Sequence, residues 1–281
     1  MKRFTLAPLC GAVLLALAAC GCNRLKARDH LNKGVQDYRN AAFQPAIVHF
    51  KEAVRLDPSL LNARLYLATA YAQQYVPGGD SADNKQIAQQ AIDAFQDVLK
   101  MDNGATAAST TALASIAQIY YNMKDFDKAR DYNEQRIKLE PNNPEPYYWI
   151  GVLDWAVAFP RAQTLRKEHS LDQSKDPVHH PDELPPIPEK LRKGLADQNA
   201  SLVDDGLKAL NKAIELKPND ADSMVYLNLM YRQKAEIDED NDTRAADLKE
   251  AENWVDKALA VRKGGTATNA SEAAPPSSPA Q

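Results

Sequence analysis

Small residues, bulky residues and prolines recur at fixed distances along the chain, and this pattern predicts pairs of helices. A small residue is followed by a bulky or polar residue four positions later and by a proline twelve positions later. The three sets are Ala46, Phe50 and Pro58; Ala129, Asn133 and Pro141; and Gly206, Leu210 and Pro218. Two further sets keep the spacing without the proline: Ala91, Phe95 and Asn103, and Ala251, Val255 and Lys263. Because a small residue lets two helices approach closely and a proline ends a helix, each set predicts one helical hairpin.

This spacing resembles the tetratricopeptide repeat, a helical hairpin that recurs every 34 residues and closes with a proline. The strings Leu56-Asp57-Pro58, Leu139-Glu140-Pro141 and Leu216-Lys217-Pro218 carry the resemblance, although Asn133 replaces an expected aromatic residue. The resemblance implies an all-α fold. We expect a tetratricopeptide-like α-solenoid of about five helical hairpins over residues 27–263, because no hairpin buries its apolar face alone.

Measured against a 34-residue period, the chain carries extra residues in three hairpins. About 11 extra residues follow Tyr71, about 11 follow Tyr231 and about 43 follow Asp154. We therefore expect lengthened turns in these hairpins and a long insert, at about residues 158–205, in the fourth.

The composition of the insert predicts its conformation. Five prolines between Pro177 and Pro188 predict an irregular chain over residues 170–187. Leucines then recur near helical spacing, so we expect a helix of about twice the usual length to begin near Pro188. We expect the insert to supply binding specificity rather than stability, since loops this long in compact arrays are commonly functional.

The N-terminal residues have the pattern of an export signal. Lys2 and Arg3 precede an apolar run that ends at Ala19 and is too short to span a bilayer. The string Leu17-Ala18-Ala19-Cys20 resembles the lipobox of bacterial lipoproteins. The resemblance implies a signal peptide over residues 1–19, acylation of Cys20 with a palmitate-type chain, and a lipidated tether over residues 20–26. Cleavage without lipid attachment is the alternative.

The residue after the predicted anchor bears on location. Lipoproteins that keep an Asp at this position stay at the inner membrane, so Gly21 implies an outer-membrane protein facing the periplasm of a bacterial cell envelope. At the other end, residues 264–281 are rich in Ala, Ser and Pro with one charged residue. That composition predicts a disordered tail.

Composition and motifs exclude several classes of function. The net charge of −4 argues against a nucleic-acid partner, and the 11 glycines form no phosphate-binding loop. No H-E-x-x-H, G-x-S-x-G or C-x-x-C motif follows residue 20, so we predict neither an enzyme nor a cofactor. His179 and His180 are weak candidates for metal binding, since adjacent histidines in a proline-rich loop commonly point apart. We interpret His30 and His49 as packing or surface residues.

The resemblance also implies a partner-binding groove lined by the first helix of each hairpin. The residues that the repeat pattern places in this groove are Leu31, Val35, Tyr38, Leu65, Tyr121, Tyr148, Val152, Trp155, Val225 and Leu229. The Lys and Asn that clamp acidic peptide tails in some family members are missing. The groove is therefore expected to be apolar and aromatic, unless these side chains are buried by the inserts or by the superhelix itself.

Together these patterns favour a lipid-anchored envelope scaffold that binds a protein or peptide in the groove and a membrane through its anchor. Its role would lie in outer-membrane, pilus or secretion assembly. The alternative is a solute- or metal-binding envelope receptor that uses the insert at residues 158–205, and an enzyme with its site in the insert is a third possibility. Titratable side chains that converge around a cavity in the insert would favour either of these alternatives.

Overall fold

The computed structural model describes the backbone of residues 7–102, 106–173 and 184–272, and the side chains of residues 22–102, 106–173 and 184–264. In these ranges the chain forms ten α-helices and no β-strand, which confirms the all-α prediction. The helices divide between two compact units, residues 1–139 and residues 140–281. No helix of the described part has an apolar stretch long enough to cross a membrane.

The first unit contains six helices that pack as three consecutive hairpins. They are α1 (Ala7–Arg39), α2 (Phe43–Leu56), α3 (Leu61–Ala72), α4 (Ala82–Asp102), α5 (Ala107–Asn122) and α6 (Phe126–Leu139). Each helix packs against the next one in the chain, and α3 also contacts α1 and α5. Stacking of first helices on first helices is the arrangement of an α-solenoid.

The second unit contains two longer hairpins. Its helices are α7 (Pro144–Glu168), α8 (Glu189–Leu216), α9 (Ala221–Ile237) and α10 (Asn241–Glu272). Helix α8 packs against α7 and α9, α9 also packs against α10, and the two first helices α7 and α9 contact each other. Helix α7 contains Pro160 in its interior. The five hairpins of the two units agree with the predicted number.

Helix ends follow the local chemistry of the sequence. Helices α2, α6 and α8 end at the leucine of each Leu-x-Pro string, two residues before the proline. The helices that follow start with a capping residue in several cases: the side chain of Asn143 accepts a hydrogen bond from the Glu145 amide, and that of Asp220 accepts one from the Ser223 amide. Such caps satisfy amides that have no partner within the helix.

The core of the first hairpin depends on a close approach between α1 and α2. Ala46, Ile47 and Phe50 of α2 form a buried cluster with Ala70 of α3. A Cβ atom added at Gly34 would lie 2.5 Å from Cε1 of the Phe50 ring. Gly34 therefore lies where α1 and α2 touch, and only a glycine leaves room for the ring there.

The extra residues are accommodated in different ways. Residues 73–81 form a longer connection after α3, as expected, but only residues 238–240 connect α9 to α10. The lengthened turn predicted after Tyr231 is therefore wrong, because the surplus residues extend the two helices instead. In the fourth hairpin α7 and α8 reach 25 and 28 residues, and α8 begins directly after Pro188 as predicted.

The two predicted ends of the fold differ in detail from the expectation. Residues 20–26, expected to be a tether, form part of the continuous helix α1, while the side chain of Cys20 lies outside those described. Helix α10 continues to Glu272, so the expected start of the tail at residue 264 falls within a helix. His179 and His180 lie outside the described residues.

Candidate partner-binding surface

Four aromatic rings from α7 and α9 form the most extensive aromatic contact of the second unit; we call Tyr148, Trp155, Phe159 and Tyr226 the Trp155 cluster. The ring of Tyr226 meets Tyr148 at 5.5 Å and Trp155 at 5.7 Å between centroids, both nearly perpendicular. Trp155 stacks on Phe159 at 4.8 Å. These are the edge-to-face and offset geometries that aromatic rings prefer.

The Trp155 cluster lies at the border between core and surface. Three of its rings pack against the buried residues Val203, Leu207, Leu210, Leu227 and Met230, yet all four remain half-buried. Gly151, one turn before Trp155, permits this packing because a Cβ atom there would overlap the Leu210 side chain. The core side chains therefore fix the orientation of the Trp155 cluster, while part of each ring is exposed to solvent.

A smaller aromatic surface lies on the first unit; we call Tyr38, Phe43, Phe50 and Tyr66 the Tyr38 cluster. Tyr38 contacts Phe43 at 5.4 Å and Tyr66 at 6.4 Å, and Tyr66 stacks on the buried ring of Phe50 at 5.5 Å. The Tyr66 side chain is 37% exposed. Tyr66 is absent from the residues that the repeat pattern selects, although it belongs to the first helix of its hairpin.

The residues predicted for the groove are mostly half-buried on the first helices. This group comprises Leu31, Val35, Tyr38, Leu65, Tyr121, Tyr148, Trp155, Val225 and Leu229. Val152 differs, since it is 1% exposed and therefore belongs to the interior of its unit. Its helix is contacted by both α8 and α9, so a narrower stripe of α7 stays open than the repeat pattern suggests.

A buried arginine at the base of the insert has no counterpart in the sequence predictions. Arg166 of α7 is 1% exposed, and its Nη2 lies 2.6 Å from Oε2 of Glu236 on α9. Its Nη1 donates to the backbone carbonyls of Leu171 at 2.9 Å and Pro185 at 3.0 Å. We call Arg166, Glu236 and these two carbonyls the Arg166 clasp. It joins both ends of the α7–α8 connection to helix α9.

Apolar contacts next to the Arg166 clasp hold the same connection. Ile187 and Leu195 are buried with Ala162, and Leu165, Leu191 and Ile237 pack against them. The carbonyl of Leu184 also accepts a hydrogen bond from Arg244 at 3.4 Å. The described flanks of the insert are thus packed structure, and the role of the insert in binding specificity stays a prediction.

A carboxyl pair at the α9–α10 turn carries the largest pKa shift among the described residues. Burial, a hydrogen bond to the Asp247 carboxylate and the negative charge of Asp247 raise the pKa of Asp238 to about 7. Lys234 contacts Asp247 at 2.7 Å and partly offsets this charge. Asp238 lies at the C-terminal end of α9, and its raised pKa means that the ionised carboxylate is unfavourable in the folded state.

Within the described residues no group of three or more His, Cys, Asp and Glu side chains is arranged to hold a metal ion. The histidines His30 and His49 are in contact, which the sequence interpretation did not anticipate: their Nδ1 atoms lie 3.1 Å apart.

Comparison with known proteins agrees with the repeat pattern. A family model of the tetratricopeptide repeat matches residues 110–143, which contain α6, most of α5 and the second Leu-x-Pro string. No curated protein sequence matches the chain significantly.

Solved structures of low sequence identity share the fold. MamA from Desulfovibrio magneticus RS-1 superimposes with a TM-score of 0.52 at 17% identity, over 85% of this chain and 96% of that one. A MamA RS-1 ArsTM double mutant gives 0.54 at 17% identity over 85% and 96%, and another MamA crystal structure gives 0.51 at 16% identity over 83% and 96%. The family model thus identifies one tetratricopeptide repeat at residues 110–143, and the five hairpins share the all-α fold of these solved structures.

Proposed function

We propose that this protein is a lipid-anchored scaffold of a bacterial cell envelope, which binds protein or peptide partners through aromatic surfaces on its first helices. The tetratricopeptide fold supports a protein–protein interaction scaffold. The observation that carries the proposal is the Trp155 cluster, where four aromatic rings are in mutual contact and yet incompletely buried.

The chemistry of the Trp155 cluster suits an apolar or aromatic side chain of a partner. Tryptophan and tyrosine dominate the energetics of protein interfaces because they offer a large apolar area with few rotatable bonds. The core beneath them fixes their orientation, so a partner would pay little to order them. Binding rather than catalysis is the proposed activity.

The envelope location rests on the N-terminal sequence. The lipobox-like string that ends at Cys20 supports lipid attachment, and Gly21 supports an outer-membrane location facing the periplasm. Roles in outer-membrane, pilus or secretion assembly are consistent with such a scaffold. The alternative of a solute or metal receptor in the insert gains no support from its described flanks, where Arg166 and Glu236 neutralise each other.

The partner surface can be tested by crosslinking in cells. A photo-reactive amino acid at Phe159 should give a crosslink to a specific envelope protein, and the additional substitution Trp155→Ala should reduce its yield. We expect a loss of about 2 kcal/mol in binding free energy, about 30-fold in affinity, because truncating a central aromatic residue costs this much.

Trp155 also packs against the core, so a matched control is needed. Leu195→Ala removes a buried side chain from the other apolar cluster of the same unit, against which none of the four rings packs. It should lower stability while leaving the crosslink unchanged at temperatures where the protein stays folded. Equal losses of crosslink in both variants would assign Trp155 to packing alone and remove the basis of the proposed surface.

The anchor can be tested separately. Cys20→Ser should abolish incorporation of labelled palmitate and release the protein from the membrane fraction, whereas Cys22→Ser should leave both unchanged. Retention of the full label in Cys20→Ser would refute the anchor and leave the partner surface unaffected.

A further inference from the structure

Two histidines from neighbouring helices meet on the first hairpin. His30 of α1 and His49 of α2 approach with their Nδ1 atoms 3.1 Å apart, and their rings are 5.3 Å apart between centroids with a tilt of 45°. Both residues are half-buried, so the pair is accessible from solvent but is not a fully mobile surface feature.

The backbone holds this pair in place. Phe50, the residue after His49, is fully buried, and it contacts Gly34, which lies one helical turn after His30. The close contact between Gly34 and the Phe50 ring therefore lies next to the histidine pair. Only residues 40–42 connect the two helices, which limits any relative sliding of α1 and α2.

From this geometry we propose that His30 and His49 together form a two-histidine chelating site for a late first-row divalent cation such as Cu²⁺, Ni²⁺ or Zn²⁺, with water completing the coordination. The metal–nitrogen distances of imidazole complexes are about 2.0–2.1 Å. Two nitrogens 3.1 Å apart then subtend an angle of roughly 100° at the metal. This value lies between the angles of square-planar and tetrahedral coordination, the geometries of Cu²⁺ and Zn²⁺.

A carboxylate behind His49 favours the required tautomer. Oδ2 of Asp37 lies 3.7 Å from Nε2 of His49, on the other side of the ring from the proposed metal position. A carboxylate at this nitrogen favours a proton on Nε2, which leaves the lone pair of Nδ1 free for the metal. In the metal-free pair the Nδ1–H of His30 can donate to this lone pair, so metal binding requires a change of tautomer at His30 and a rotation of the rings that turns both lone pairs toward the metal.

Further carboxylates give the site a negative surrounding. Asp29 and Glu52 both act electrostatically on His30, and hydrogen bonds from Lys33 and Arg55 respectively hold the pKa of these carboxyls below their usual values. They remain ionised at neutral pH and favour a cation near the imidazoles. Because the described residues offer no third ligand, the site is open, and affinity should follow the general order with Cu²⁺ above Ni²⁺ and Zn²⁺.

The site can be tested by copper titration of the full chain. The titration uses the double substitution His179→Asn/His180→Asn as its background, so that these two neighbouring histidines cannot bind the ion. CuCl₂ is added to this metal-free protein in a non-coordinating buffer. We expect a one-to-one complex whose electron paramagnetic resonance spectrum shows nitrogen coordination, and a melting temperature that rises with Cu²⁺ because the ion binds the folded state.

Single substitutions decide the assignment. His30→Asn and His49→Asn should each reduce the Cu²⁺ affinity at least tenfold and abolish the rise in melting temperature, whereas His169→Asn, at an exposed histidine away from the pair, should change neither. Circular dichroism verifies the fold, and His30→Gln serves if His30→Asn does not fold. Unchanged affinity in the pair variants, or an equal loss in His169→Asn, would overturn the proposal and leave the contact as a simple hydrogen bond.

Discussion

The first and fourth hairpins show two ways of holding a pair of helices together. Helices α1 and α2 are joined by three residues, and a glycine against a buried phenylalanine is enough to bring them into contact. Helices α7 and α8 are longer and joined by residues 169–188. There the ends of the connection are fixed by a buried charge, Arg166, bonded to Glu236 and to two carbonyls.

The difference follows from what each connection must satisfy. A short turn leaves few backbone groups without partners, so apolar packing decides its stability. A long connection that returns to the protein brings carbonyls with it, and buried carbonyls need donors. A guanidinium offers five N–H groups in a rigid plane and can satisfy a carboxylate and two carbonyls at once. Burying that charge is tolerable only because each partner is present.

Of the substitutions proposed here, one that removes the Arg166 clasp should lower the unfolding free energy the most. Arg166→Met keeps the length of the side chain but leaves Glu236 and the carbonyls of Leu171 and Pro185 without their donor. We expect a loss of about 3 kcal/mol in the unfolding free energy, at the low end for a buried ion pair, since the Glu236 carboxylate that loses its partner is 18% exposed. Hydrogen exchange should show faster amide exchange in α7, α8 and α9 and unchanged exchange in α1 and α2.

An exposed ion pair provides the matched comparison. Lys212→Met removes the contact of Lys212 with Glu215, both of which face solvent, and should cost less than about 1 kcal/mol. Adding Glu236→Gln to Arg166→Met should recover part of the loss, because the stranded charge disappears. Similar costs for Arg166→Met and Lys212→Met would show that the clasp is not what holds the fourth hairpin.

A larger side chain at the contact between α1 and α2 should lower the unfolding free energy by a smaller amount. Gly34→Ala places a Cβ atom 2.5 Å from the Phe50 ring, and we expect a net loss of about 1–2 kcal/mol after the gain in helix propensity. Gly194→Ala is the control, since a Cβ atom at Gly194 meets nothing within 4 Å, and it should stabilise the protein by up to about 1 kcal/mol. A stabilising Gly34→Ala, measured by urea unfolding, would contradict the close approach.

The smallest predicted effect depends on pH and lies at the α9–α10 turn. The pKa of Asp238 is about 7 in the folded chain, above its usual value of 3.8, so the folded state binds a proton that the unfolded chain releases. Stability therefore falls as the pH rises from about 4 to about 7. Asp238→Asn mimics the protonated form and should stabilise the protein at about pH 8 by roughly 1 kcal/mol, a small value because Asp238 is partly exposed and Lys234 offsets the charge. At about pH 5 the wild-type carboxyl is itself mostly protonated, so the gain should be smaller.

Asp240→Asn tests the sign of this effect on the same turn. The backbone amide of Thr243 donates to Asp240 and lowers its pKa, so Asp240→Asn should destabilise the protein above the pKa of that carboxyl. Urea unfolding of Asp238→Asn and Asp240→Asn at about pH 5 and about pH 8 shows which substitution stabilises the protein and which destabilises it. A loss of stability in Asp238→Asn at the higher pH would show that the Asp238 carboxylate has a favourable partner that outweighs its burial.

The sequence predicts features that depend on local chemistry. Prolines end helices and small residues permit close contacts, so the number of hairpins, the ends of α2, α6 and α8, and the start of α8 after Pro188 all follow from neighbouring residues. The length of the turn in the fifth hairpin could not be predicted in this way. Counting residues against a repeat period shows how many are added, but not whether they form a turn or extend a helix.

The polar contacts escaped prediction because they join distant positions. Arg166 and Glu236 are 70 residues apart and carry no periodic signal, and Arg166 stands in a charged string that resembles a solvated helix end. The histidine pair did leave a signal, since His30 and His49 lie 11 and 8 residues from the middle of the turn at Ala41, a difference of less than one helical turn. For the candidate surface the repeat pattern selects residues on the first helices, but it could not show that Val152 is buried while Tyr66 is exposed.

Pro160 divides α7 into two segments with separate tasks. Proline has no amide hydrogen to donate to the carbonyl four residues earlier, so the helical ladder is interrupted at this residue. The segment before it carries Trp155 and Phe159, and the segment after it carries Arg166. A change in chain length after Pro160 would therefore move Arg166 relative to its partners, while the register of the aromatic rings on the preceding turns would stay as it is.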